Sequence, residues 1–99
     1  MPIVYEVNLK VVKSISATYL DWLNEHIKDM LQLPGFTDAK LYQEVQEMLD
    51  HDHFVVQYHL ESESDLNSYL SNQAPQMRQQ GLNLFGNQFS ATRRVLKKF

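Results

Sequence analysis

Apolar residues recur along this chain with a period that changes in a fixed order: two, helical, two, two, helical, two. Ile3, Tyr5, Val7, Leu9 and Val11 alternate with Val4, Glu6, Asn8 and Lys10, the pattern of a strand with one dry face. Leu20, Leu23, Ile27, Met30 and Leu31 then fall at helical spacing. Ser14 or Ser16 is placed to cap that helix, and Pro34-Gly35 ends it after about Leu33. A second strand is expected over Phe36 to Val45, with Ala39 and Leu41 opposite Lys40, Tyr42 and Glu44. Phe54, Val56, Tyr58 and Leu60 alternate with Val55, Gln57, His59 and Glu61 to mark a third. Asp50-His51-Asp52-His53 between them has turn chemistry, so the two strands form an antiparallel hairpin. Ser62 or Ser64 caps a second helix, whose buried face is Leu66, Tyr69, Leu70, Ala74 and Met77, and Pro75 must break or kink it. Gly81 and Gly86 bracket Leu82 to Phe85, an expected irregular connector, before a last strand from about Gln88 to Leu96.

This order is the split βαβ pattern, and right-handed crossovers put both helices on one face of the sheet. The expectation is an α+β fold: a ferredoxin-like βαββαβ sandwich with a four-stranded antiparallel sheet, as one domain over residues 1–99. At this length folding buries roughly two-thirds of the unfolded surface, enough for a core without staples. Ile3, Tyr5, Val7, Leu9, Ala39, Leu41, Phe54, Val56, Tyr58, Leu60, Phe89, Ala91 and Val95 should pack under the helices. The opposite face mixes Val4, Tyr42, Val55 and Leu96 with charges, which points to a second copy of the chain covering it.

Composition removes several classes of function. There is no cysteine, so disulfides, thiolate metal sites and a cysteine nucleophile are excluded, and a reducing compartment fits. A net charge of −3 opposes a nonspecific nucleic-acid binder. The open-face positions of the first and third strands hold Val4, Glu6, Asn8 and Val55, Gln57, His59, not the stacking aromatics of an RNA-binding sheet. No signal-peptide pattern and no apolar run near the ~20 residues of a membrane span is present, so a cytoplasmic location away from membranes is expected.

Glu6, Asn8 and His59 are the candidate catalytic residues. Strands one and three are neighbours in this topology, and an imidazole beside a carboxylate can act as a general base near pH 7. The same residues can equally form an interface hydrogen-bond pair. Arg94 is placed to neutralise an anionic ligand or to pair with Glu6, and Tyr42 and Gln57 share its face. Tyr19, Trp22 and His26 form an aromatic stripe beside the Leu20/Ile27/Leu31 line, and Trp22 and His26 are further ligand-binding candidates. His51-Asp52-His53 supplies too few ligands for a closed metal site, so no metal is expected.

Tyr5-Glu6-Val7-Asn8, Tyr19 with Trp22-Leu23 and His26, Leu33-Pro34-Gly35-Phe36, Ala74-Pro75 with Met77-Arg78, Phe85-Gly86, and Ser90-Ala91 with Arg93-Arg94 carry a resemblance over nearly the whole chain. The chain resembles the dimeric α+β barrel superfamily and, within it, a family of small bacterial proteins known as a domain of unknown function. The family match implies no activity, and superfamily relatives include cofactor-independent quinol monooxygenases, haem-degrading enzymes, isomerases and proteins with no known reaction. The expectation is a homodimeric small-ligand-binding or interaction module; the alternative is a cofactor-independent monooxygenase or isomerase acting on a small aromatic or anionic substrate in the barrel cavity. Haem-degrading relatives use an Asn, a Trp and a His, which brings Asn8, Trp22 and His26 into comparison. Those relatives ligate haem from the second helix, and here Ser64 to Gly81 contains no histidine. No cofactor is therefore expected.

Overall fold

The computed structural model of the chain describes residues 2–45 and 49–99. Strand β1 (Ile3–Val12) leads through a 3₁₀ turn (Lys13–Ile15) into helix α1 (Ser16–Met30). Strands β2 (Phe36–Gln43) and β3 (His51–Leu60) follow, then helices α2 (Glu63–Asn72) and α3 (Ala74–Phe85), and strand β4 (Phe89–Lys97). The sheet order is β2-β3-β1-β4, and every neighbouring pair is antiparallel. β1 and β2 are thus parallel and separated by β3, and β3 and β4 are parallel and separated by β1. Each pair is joined by a helical crossover, which makes the fold two interleaved βαβ units.

Period two in β1 and β3 decides what the core contains. Ile3, Tyr5, Val7, Leu9 and Val11 join Phe54, Val56, Tyr58 and Leu60 on one face, buried against Tyr19, Leu23, Met30, Leu66, Tyr69 and Ala74 of the helices. Burying one such side chain is worth about 1.5–3 kcal/mol, so this face holds the helices down. The buried line of α1 runs through Tyr19, Leu23 and Met30, while Leu20, Ile27 and Leu31 pack at its flank and are only partly buried. Of the aromatic stripe only Tyr19 is buried; Trp22 is partly buried, as Leu20 and Ile27 are.

Several local expectations are corrected. Neither Ser14 nor Ser16 caps α1: its N-cap is Ile15, and the Ser16 amide is already taken by the Lys13 carbonyl in the 3₁₀ turn. Ser62 does cap α2, accepting from the Asp65 amide at 3.1 Å. Pro75 sits in the first turn of a separate helix, where a missing N–H leaves no gap in the ladder. Leu82 to Phe85 is not a connector, because α3 runs on to Phe85 with Gly81 buried inside it. His51-Asp52-His53 is strand and not turn. It pairs with Val12, Val11 and Lys10, and the long β1 ladder draws it into the sheet. β2 ends at Gln43, short of the expected Val45.

Pro34-Gly35 closes the link from α1 to β2. Gly35 has φ +84°, and a Cβ there would come within 2.4 Å of the Asp65 side chain, so only glycine fits.

Candidate functional site

The open face of the sheet carries a closed polar network. Register places Gln57 of β3 and Arg94 of β4 on either side of Glu6 in the central strand β1. Arg94 Nε donates to Glu6 Oε2 at 2.5 Å, Gln57 Nε2 to Oε1 at 3.0 Å, and Asn8 Nδ2 to Oε2 at 3.1 Å. Glu6 is 5 % exposed, and these donors hold its carboxyl well down, to about 2, with the Arg94 hydrogen bond the largest cause. A carboxylate so thoroughly satisfied is a poor base at neutral pH. His59 is not beside it. It faces Val4 on one side and Asp38 on the other, two positions along the ladder from Gln57, and its buried Nε2 has no partner. The expected Glu6–Asn8–His59 constellation therefore resolves into a Glu6–Asn8–Gln57–Arg94 network with His59 apart. Tyr42 lies opposite Val55, 48 % exposed, on the same face.

The other face holds a cavity of about 250 Å³ between the sheet and helices α1 and α3. Its walls are mostly aromatic and aliphatic. Trp22 and His26, one helical turn apart on α1, stack with centroids 4.7 Å apart and planes 18° off parallel. Tyr19 fixes this pair from behind, packed on Trp22 at 5.5 Å, Phe85 at 4.9 Å and Phe89 at 5.1 Å. Gly81 opens the opposite wall: a Cβ there would meet Trp22 at 3.2 Å and Phe89 at 3.3 Å. Tyr5, Tyr58 and Tyr69 form a second aromatic group along the floor, with Tyr5 at 6.2 Å from Tyr58 and 6.1 Å from Tyr69.

Few polar groups reach this space. Burial pushes the phenols of Tyr19 and Tyr58 far up and that of Tyr69 up to about 12, so all three stay protonated at neutral pH. Burial lowers the His26 imidazole, with Asp29 pulling weakly the other way, so it is neutral near pH 7. Its Nδ1 is buried without a hydrogen-bond partner. Arg78 Nη2 donates to the Tyr5 hydroxyl at 3.1 Å. Arg93, on the cavity side of β4 opposite Val7, completes the lining.

Of the sequence candidates, Trp22 and His26 thus meet in the cavity, whereas Tyr42, Gln57 and Arg94 lie on the other side of the sheet. Sequence reasoning missed Arg78, Arg93 and the Tyr5–Tyr58–Tyr69 floor. The signal for Arg93 was present: it stands between Ala91 and Val95 in the dry register of a strand, where a charge needs a reason. Among the described residues no cluster of three or more His, Asp or Glu side chains has metal-site geometry, and no helix is long and apolar enough to cross a membrane.

The model of the domain of unknown function DUF4286 matches residues 2–99. The chain belongs to this family. No functionally curated protein matches it in sequence. Solved structures share the fold of this DUF4286 chain at low identity. A cofactor-independent oxygenase from Streptomyces nogalater has a TM-score of 0.75 at 13% identity, covering 100% of this chain and 95% of that one. An ethyl tert-butyl ether D family protein from Bacillus halodurans C-125 has 0.72 at 12%, covering 100% of both chains. A conserved protein from Methanosarcina mazei Go1 has 0.72 at 15%, covering 100% and 95%. At such identities the likeness establishes the ferredoxin-like α+β fold, and one fold hosts many activities.

Proposed function

We propose that this DUF4286 chain is a small-ligand-binding module whose ligand enters the cavity between helices and sheet. The observation that carries the reading is the cavity itself. It has about 250 Å³ of space walled by aromatic rings, with a few polar side chains among them. Ligand sites in general are concave, largely apolar and supplied with a few placed polar groups. The ring-rich walls select a small planar molecule. The open face is where a second copy packs: Tyr42, Val55 and Leu96 supply apolar area around the already buried Val4, and Glu6 is neutralised by Arg94 before anything covers it. A cysteine-free chain is compatible with the cytoplasm, where we place it.

Saturation-transfer NMR against a panel of small aromatic compounds tests the cavity. Hits on the wild type should vanish in Met77→Trp, whose larger side chain fills the space, while circular dichroism stays native. A panel without hits, or hits unchanged in Met77→Trp, would overturn the reading. Sedimentation tests the dimer, and a monomer at micromolar concentration removes it. In the dimer His59→Ala should weaken association and leave cavity binding intact.

A second reading, a cofactor-independent monooxygenase or isomerase, is favoured by one specific arrangement. Neutral His26, stacked on Trp22 in the cavity wall, is placed to take a proton from a bound phenol. Oxygen-electrode traces and product analysis with hydroquinones decide it. Turnover lost in His26→Ala would support this reading, and an absence of turnover with bound ligands would leave a binding protein.

A further inference from the structure

We propose that the cavity selects an aromatic anion, a ring carrying a carboxylate or an ionised hydroxyl, and that Arg93 takes the charge. This rests on the reading of the cavity as a ligand site and names the ligand's class. The two arginines on the cavity wall differ in what they already do. Arg78 donates to the Tyr5 hydroxyl at 3.1 Å. Arg93 has no hydrogen bond or ion pair among the described residues, whereas its neighbour Arg94 donates to Glu6 on the other face. Its charge reaches Tyr19, His26, Tyr58 and Tyr69, so it acts on both aromatic groups that wall the cavity. No acidic side chain lines the cavity to compete for it.

Arg93 lines the cavity but is itself exposed, so its guanidinium is solvated and uncommitted, open to the carboxylate of a ligand whose ring lies inside. A guanidinium holds a carboxylate better than an ammonium does because its planar fork matches both oxygens. The ring of the same ligand has the Trp22–His26 pair as its stacking surface. Anion and ring are thus read by different residues, and a neutral ring should lose only the first contribution.

Trp22 is the only tryptophan, so its fluorescence reports the cavity directly. The test compares 1-naphthoate with its neutral carboxamide on the full chain. Naphthoate should bind at least about tenfold tighter, since a hydrogen bond to a charged group outweighs a neutral one by roughly that factor. Added salt should erode the preference. Arg93→Gln should lower naphthoate affinity by about tenfold and leave the amide unchanged, and Arg93→Lys should restore part of it. Lys28→Gln removes the same charge from the exposed side of α1 and should change neither affinity. Equal affinity for acid and amide in the wild type, or equal losses for both in Arg93→Gln, overturns the anion inference alone. Quenching by neither probe overturns the cavity reading and this inference together.

Discussion

The two consecutive arginines of β4 meet opposite circumstances on the two faces of the sheet. On the open face Glu6 has three side-chain donors and Arg94 has its carboxylate. On the helix face the His26 Nδ1 is unsatisfied and Arg93 has no acceptor among the described residues. Both faces are set by the same strands in the same register, so backbone geometry does not explain the difference. What differs is whether complementary side chains meet across neighbouring strands. Gln57 and Arg94 flank Glu6 directly, whereas Val7 and then Val56 lie across from Arg93. The Glu6 network is ready to be desolvated against another surface, whereas Arg93 keeps its donors for a ligand.

The largest effect that tests this contrast is structural. Leu23 is 2 % exposed under the cavity, and Leu23→Ala should lower the unfolding free energy by about 2–5 kcal/mol. A urea titration showing less than about half a kcal/mol would mean that α1 does not seat on the sheet as described.

The next effect belongs to the open face. Glu6→Gln should cost about 1–3 kcal/mol at pH 7, because Arg94 loses its ionic partner and one donor of the network goes unmatched. Wild-type stability should also depend on acid. The Glu6 carboxyl lies below its unfolded value of 4.5, so its contribution is complete above that pH and is lost as the pH falls toward about 2. Glu6→Gln should flatten that part of the curve, and parallel acid titrations of the two proteins would contradict the network.

The smallest effect separates folding from association. Tyr42 is 48 % exposed, so Tyr42→Ala should change unfolding stability by less than about half a kcal/mol under conditions where the chain is monomeric. If a second copy covers that face, the same change should weaken the dimer in sedimentation. A strongly destabilised monomer would place Tyr42 in a core that the structure does not show.

How much of this was legible depends on how many elements a feature needs. The strands show plainly because period two is a property of one segment: Ile3 to Val11 and Phe54 to Leu60 declare their dry faces unaided. The break at Pro75 was legible, but its outcome was not. Whether a proline kinks one helix or opens another depends on what the following residues pack against, and Leu82 to Phe85 stay helical because Phe85 seats on Tyr19 and Trp22. The cavity needs α1, α3 and three strands to meet imperfectly, and a void leaves no mark in any single segment. Trp22 and His26 could be singled out by their spacing on one helix. Their place in the wall could not be read without Gly81 and Phe89 on the other side of the gap. His59 misled because neighbouring strands were evident while the register between them was not.

Arg93 and Arg94 are consecutive, and successive residues of a strand point to opposite faces. A single arginine dipeptide therefore delivers one cation to the cavity and one to Glu6. Inserting one residue early in β4 would shift Arg93 opposite Glu6 and leave Thr92 at the cavity. Deleting one would keep an arginine at the cavity and set Val95 against Glu6. The doubled arginine lets a length change of one residue abolish either partnership while sparing the other, so the two faces of this sheet are free to diverge independently in evolution.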